Sequence, residues 1–255
     1  MPTRAAILIT IRLSHYCEKA RWGLDRVAFR YSEEAHVPLL HRLATKRHAG
    51  ASVPVLVDGD RCFTDSSDIL AHADAHAGGD VLYPRDVALR DEVAAWEKRF
   101  DDELGPHVRR WAYDHLLGDR KLLKRVWAEG VPTREARLLP LTIPLTRRLV
   151  RSAYRVTPQG AARSLERVRG VFGEVEKALG DGRRFLVGER FTAADLTFAA
   201  LAAPALFPAE CRAAHPTLDA VPEVMRSEVL RFRDTKAGQL ALRSFSEERD
   251  RVIAS

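Results

Sequence analysis

With 255 residues the chain can form one large domain or two modest ones, with a sizeable core in either case. Its composition, 46% hydrophobic and 30% charged without repeats or low-complexity tracts, is that of a folded soluble protein. The net charge of +6 is uneven: residues 105–170 carry 15 Lys or Arg against 5 Asp or Glu, a balance of +10 that leaves −4 for the rest.

That basic stretch either attracts anionic small molecules, membrane surfaces or nucleic acid, or is a solvated helix face. No nucleic-acid motif accompanies it, so no nucleic-acid partner is expected. Three cysteines, Cys17, Cys62 and Cys211, are too few and too scattered for a disulfide framework, which fits a reducing compartment. The first apolar run is short and meets Arg12 at once, a poor signal peptide. The longest apolar stretch, roughly residues 196–207, contains Pro204 and falls short of a membrane span. A cytoplasmic setting is expected.

In chain order, residues 5–11 form a nearly continuous apolar run, as in a strand buried on both faces. From His15 on, Tyr16, Ala20, Leu24, Val27 and Ala28 share one helical stripe. Residues 31–37 read as a second strand and 38–46 as a short helix, giving a βαβ unit. Pro54 opens the next strand, and Asp58-Gly59 marks a hairpin because Gly accepts the positive φ such turns require. Asp65-Ser66-Ser67-Asp68 reads as the cap of a helix running to about His76. The first 77 residues thus read βαβαββα. Gly78-Gly79 breaks the pattern, and helix follows: residues 86–117 divided near Gly105-Pro106, a stretch at 131–158 interrupted by Pro132, Pro140 and Pro144, and residues 159–179. Thr192 and Asp195 form a capping box, flanked by Phe191 and Leu196 as a hydrophobic staple. The apolar run after it suits a helix buried all round. Residues 217–236 read as another helix, and the last 15 residues as peripheral.

Ser14 lies between the first strand and the first helix, where unpaired N–H groups and the positive dipole end favour anions, thiolates included. The simpler reading makes Ser14 a helix cap alone. Cys17, three residues on, sits where a redox protein carries its second cysteine, but position 14 holds no attacking thiol. Its place beside the apolar stripe favours a buried, inert thiol, and Cys62 and Cys211 read as packing residues. His72 and His76, at i and i+4, lack an evident third ligand, so no metal is expected.

Together these pieces resemble the soluble glutathione transferases over most of the chain, residues 105–158 least. Ser14-His15-Tyr16-Cys17 falls where that family carries Ser-Pro-x-x or Cys-Pro-x-x; His15 replaces the proline and leaves the turn open to another geometry. Val53-Pro54 resembles the family's pair with a cis proline, whose Val backbone meets the cysteinyl unit of glutathione. Asp65-Ser66 resembles the pair that takes the γ-glutamyl end. The resemblance implies an α/β thioredoxin-like domain at residues 1–78 and an all-helical domain at 85–255. It also implies glutathione as co-substrate, a hydrophobic electrophile, electrophile detoxification and a homodimer. Lys46, Arg47 and His48 are candidates for the glycyl carboxylate, and Trp111 and Tyr113 for the electrophile pocket, with solvated or core roles as their alternatives. The expected site is Ser14 as thiolate stabiliser, with Val53, Pro54, Asp65 and Ser66 for binding. A scaffold module without catalysis, or a glutaredoxin-like reductase using Cys17, are the rival readings.

Overall fold

The computed structural model describes residues 5–48 and 50–253. Strand β1 (Ala6–Thr10) is the apolar run, with only Ile7 less than fully buried. It lies inside a four-stranded sheet of order β2-β1-β3-β4. β2 (Tyr31–Ala35) pairs parallel to β1, Ala6 opposite Tyr31, and a parallel pair needs a crossover, which α1 (His15–Arg26) supplies. β3 (Val55–Asp58) runs antiparallel to β1 and turns through Gly59, φ +59°, into β4 (Arg61–Phe63). Before β3 comes a short α2 (His41–Thr45); after β4 comes α3 (Ser66–His76). The order is βαβαββα, as the residue pattern predicts. Leu8 and Leu56 from the sheet pack with Leu24 of α1 and Ile69 of α3.

The remainder is helical: α4 (Val87–Glu103), α5 (Gly105–Leu116), α6 (Arg120–Ala128), α7 (Thr133–Ala153), α8 (Pro158–Ala178), α9 (Ala193–Leu206), α10 (Glu223–Asp234) and α11 (Lys236–Glu248). The division between α4 and α5 falls where Gly105-Pro106 predicts it, with Pro106 in the first turn of α5, where its missing N–H costs nothing. Helix α9 is the axis. Nearly every residue of it is buried, and α1, α4, α5, α10 and α11 all pack on it. Its start is fixed by the capping box: Asp195 accepts the Thr192 N–H at 3.0 Å, and its other oxygen accepts the Leu186 N–H at 2.8 Å.

Four expectations need correction. The prolines do not interrupt residues 131–158: Pro132 precedes α7, and Pro140 and Pro144 lie inside it with their rings exposed. Leu139, Ile143 and Val150 form a buried stripe against Leu123 and Trp127 of α6, and that burial outweighs two missing N–H groups. Residues 217–236 are not one helix, because Pro222 separates a single turn at Leu218–Ala220 from α10. Cys62 is exposed on β4 rather than packed. The described part of the last 15 residues, 241–253, is not peripheral: Phe245, Glu248 and Arg249 are almost wholly buried, and the Glu248 carbonyl accepts the Trp22 indole N–H at 3.2 Å. Among the described residues no helix is long and apolar enough to cross a membrane.

Candidate functional site

The chain leaves β1 at Thr10 and turns so that the Ser14 N–H bonds the Ile11 carbonyl at 3.0 Å. Ser14 is extended (φ −76°, ψ 118°), and its Oγ accepts the Cys17 N–H at 3.3 Å, the bond of a helix cap. Accepting that bond leaves the hydroxyl hydrogen to donate. Cys17 itself is fully buried; burial pushes its thiol up, against opposing pulls from Arg21 and the Ser14 hydroxyl. A thiol so placed is a packing group.

His15, in the position of the expected proline, points its ring at the junction of α4 and α5. Its Nε2 lies 3.1 Å from the Gly105 carbonyl oxygen, which can only accept, so Nε2 carries the hydrogen. Burial, and then the charge of Arg109, push His15 down to about 3, so the ring is neutral. The adjacent Tyr16 hydroxyl donates to the Asp101 carbonyl at 3.0 Å. A Cβ at Gly105 would overlap that hydroxyl, which is why α5 begins on glycine. Further along α1, the buried Lys19 ammonium reaches Glu97 at 2.9 Å, Asp101 at 2.8 Å and the Ser67 hydroxyl at 2.8 Å. These bonds pin the starts of α1 and α3 to α4.

Beside Ser14 lies a cavity of about 320 Å³, small-molecule size. Ser14 and Val53 line it from the α/β part, and Arg109, Tyr113, Tyr154 and Phe207 from the helices. The Val53–Pro54 bond is cis. Pro54, Asp65 and Ser66 do not line the cavity. Asp65 is an exposed cap whose carboxylate accepts the Ser67 N–H at 2.8 Å, and Ser66 is buried behind it in the first turn of α3. Of the aromatic candidates, Tyr113 lines the cavity, whereas Trp111 packs in the core against Phe232. Lys46 and Arg47 are exposed and do not line the cavity, whereas His41, Arg42 and Ser52 do. His72 bonds Asp58 at 2.9 Å and stacks on Phe63.

Two family profiles match the chain: glutathione S-transferase, N-terminal domain, over residues 8–80, and glutathione S-transferase, C-terminal domain, over residues 158–225. The chain belongs to the glutathione S-transferase family. Among solved structures, poplar glutathione transferase F1 is 15% identical over 97% of this chain and 95% of its own, with a TM-score of 0.63. The beta-etherase LigF from Sphingobium sp. strain SYK-6 is 17% identical over 96% and 99%, with a TM-score of 0.61. Ure2p in complex with glutathione is 19% identical over 95% and 100%, with a TM-score of 0.55. At these identities the likeness speaks for the fold. No curated protein matches the chain by sequence.

The family profiles leave residues 81–157 unmatched, and that segment supplies Arg109, Tyr113 and Tyr154 to the cavity. Sequence reasoning missed Arg109, Tyr154, His41 and Arg42. Nothing local marks them, since each reaches the cavity only through helix packing. The one available signal was Arg109 standing four residues before Tyr113 on a helix, which puts both on one face.

Proposed function

We propose that the chain is a glutathione transferase that activates the glutathione thiol for attack on an electrophilic carbon, with Ser14 as thiolate stabiliser. The observation that carries this reading is the Ser14 hydroxyl: it caps α1 and lines the cavity with its hydrogen available to donate. A thiol of pKa about 8.5 is only about 3% thiolate at pH 7, and one of about 6.5 is about 75% thiolate. That difference needs about 2.7 kcal/mol of preference for the charged form. A hydrogen bond from Ser14 and the N-terminus of α1 supply terms of that order. The sulfur then forms a bond to the electrophilic carbon, the leaving group departs with its electron pair, and the thiol proton passes to solvent. Proximity in the apolar cavity does the rest.

Binding rests on the Val53 backbone beside cis Pro54, and on Asp65 and Ser66 for the γ-glutamyl end, reached beyond the cavity wall at the start of α3. Arg42 replaces Lys46, Arg47 and His48 as the partner of the glycyl carboxylate. His41 beside it is pushed down to about 4 by burial and then by Arg42, so that imidazole is neutral at pH 7. Residues 1–78 form the glutathione-binding domain and 85–255 the domain of the electrophile site. A cytoplasmic homodimer serving detoxification completes the proposal, with sedimentation equilibrium as its check. The buried Cys17 thiol argues against a reductase.

The test uses retention on a glutathione column and a conjugation assay. Ser14→Ala should lower turnover about 10–25-fold, the upper figure being the fall in thiolate fraction at pH 7 from about 75% to about 3%, while Cys17→Ala keeps it. The reverse pattern would favour the reductase. Retention of glutathione without turnover in the wild type would favour a binding module.

A further inference from the structure

Two neighbouring arginines on α5 are used in opposite ways. Arg110 is committed to the fold: its Nε donates to the Tyr154 carbonyl at 2.9 Å and its Nη1 to the Ser164 hydroxyl at 2.9 Å. Arg109 lines the cavity, and its buried Nε has no acceptor among the described residues. A face contact holds it instead. Its guanidinium carbon lies 4.0 Å from the centroid of Tyr154, which stacks on Tyr113 at 5.8 Å and 8°. Stacking of this kind engages the face of the guanidinium and leaves its N–H edge to meet a planar anion. Ala112, Leu116 and Val126 add aliphatic surface to the cavity, and among the described residues no Asp or Glu lines it. Arg109 is half-buried, with its Nε shut off from solvent, so an anion entering the cavity would meet a cation already partly stripped of water.

We propose that Arg109 anchors an anion in the electrophile site, and that the electrophile is a flat, largely apolar molecule bearing a carboxylate. The inference rests on the transferase reading above and deepens it. The Tyr154–Tyr113 stack and the aliphatic wall accommodate the ring, and the Arg109 edge takes the carboxylate in a bidentate bond. Arg42, on α2, is the cation left for glutathione itself.

The probes are 4-chloro-3-nitrobenzoate and its methyl ester, with wild type, Arg109→Met and Arg109→Lys. In conjugation the glutathione sulfur bonds the ring carbon that carries chlorine, and chloride leaves with the C–Cl electron pair. The acid-over-ester ratio of kcat/KM should fall about 10–100-fold in Arg109→Met and recover in part in Arg109→Lys. Calorimetric titration without glutathione should show the wild type binding the acid about tenfold or more tighter than the ester, a preference lost in Arg109→Met. A ratio unchanged by Arg109→Met, or equal wild-type affinity for acid and ester, overturns the proposal. A wild type that prefers the acid through Arg109 but conjugates neither probe supports the anion site and contradicts the transferase reading, so the two failures separate. If Arg109→Met does not fold, Arg109→Gln, which keeps the polar tip and removes the charge, carries the same comparison.

Discussion

His15 ties the start of α1 to the α4–α5 junction only while its ring is neutral, and this gives the fold a pH signature. An imidazole near 6.5 in the unfolded chain is pushed down to about 3 in the fold, by burial first and by Arg109 second. Between those values the unfolded state binds the proton and the folded state does not. Stability from this group is therefore complete above about pH 6.5 and falls as pH drops, by up to about 1.4 kcal/mol per pH unit. His41, pushed down to about 4, acts in the same direction. Urea midpoints measured from pH 7.5 to 4.5 should fall less steeply in His15→Gln, which keeps a donor for the Gly105 carbonyl, than in the wild type. Equal slopes would contradict this assignment. Of the residues at this junction, Ser14 was legible because a helix cap is a local bond. His15 was legible only as a departure from a pattern, because its partner lies 90 residues away.

At the scale of elements, period and punctuation located most of the fold. The apolar run of β1, the Asp58-Gly59 turn, the Asp65 cap and the Thr192–Asp195 box are all short-range signals, and each element stands where its signal falls. Helix α7 shows where such signals stop. Its two internal prolines argue locally against a helix, and only the facing helix α6 makes the buried stripe worth more than the missing bonds. Because both proline rings are exposed, replacing them removes no packing. Pro140→Ala and Pro144→Ala should each raise stability by about 1–2 kcal/mol, the restored helix bond outweighing the extra freedom of the unfolded chain. The check is the urea midpoint, and a fall in either variant would show that the prolines shape the helix to its partner.

At the scale of the molecule, the C-terminal segment clamps the helix that carries the site. Arg249, buried, bonds the equally buried Glu18 of α1 at 2.7 Å and Asp25 at 3.0 Å. The backbone N–H of Ile253 bonds the Arg26 carbonyl at 2.7 Å. A run of charged residues near the end of a chain reads locally as solvated, and only the return of the chain to α1 turns these charges inward. Without Arg249, Glu18 keeps Arg21 at 3.4 Å and Asp25 keeps Arg212 at 2.9 Å, so Arg249→Ala should cost about 2–3 kcal/mol, less than the roughly 3–5 of a fully orphaned buried charge. Converting both, as Glu18→Gln with Arg249→Met, should recover much of that loss. A double variant as unstable as the single one would mean that the clamp works by packing rather than by charge. The helical wall of the cavity was illegible for the same reason, since Arg109 and Tyr154 are brought together from α5 and the residue that ends α7.

The most direct test of the account is the titration of the thiol itself. The ultraviolet absorbance of the glutathione thiolate, followed against pH with saturating wild-type protein and again with Ser14→Ala, reads the bound pKa. The expected value is about 6.5 on the wild type, two units below the free thiol, with a return toward about 8.5 on Ser14→Ala. The same bound pKa on both proteins would contradict it.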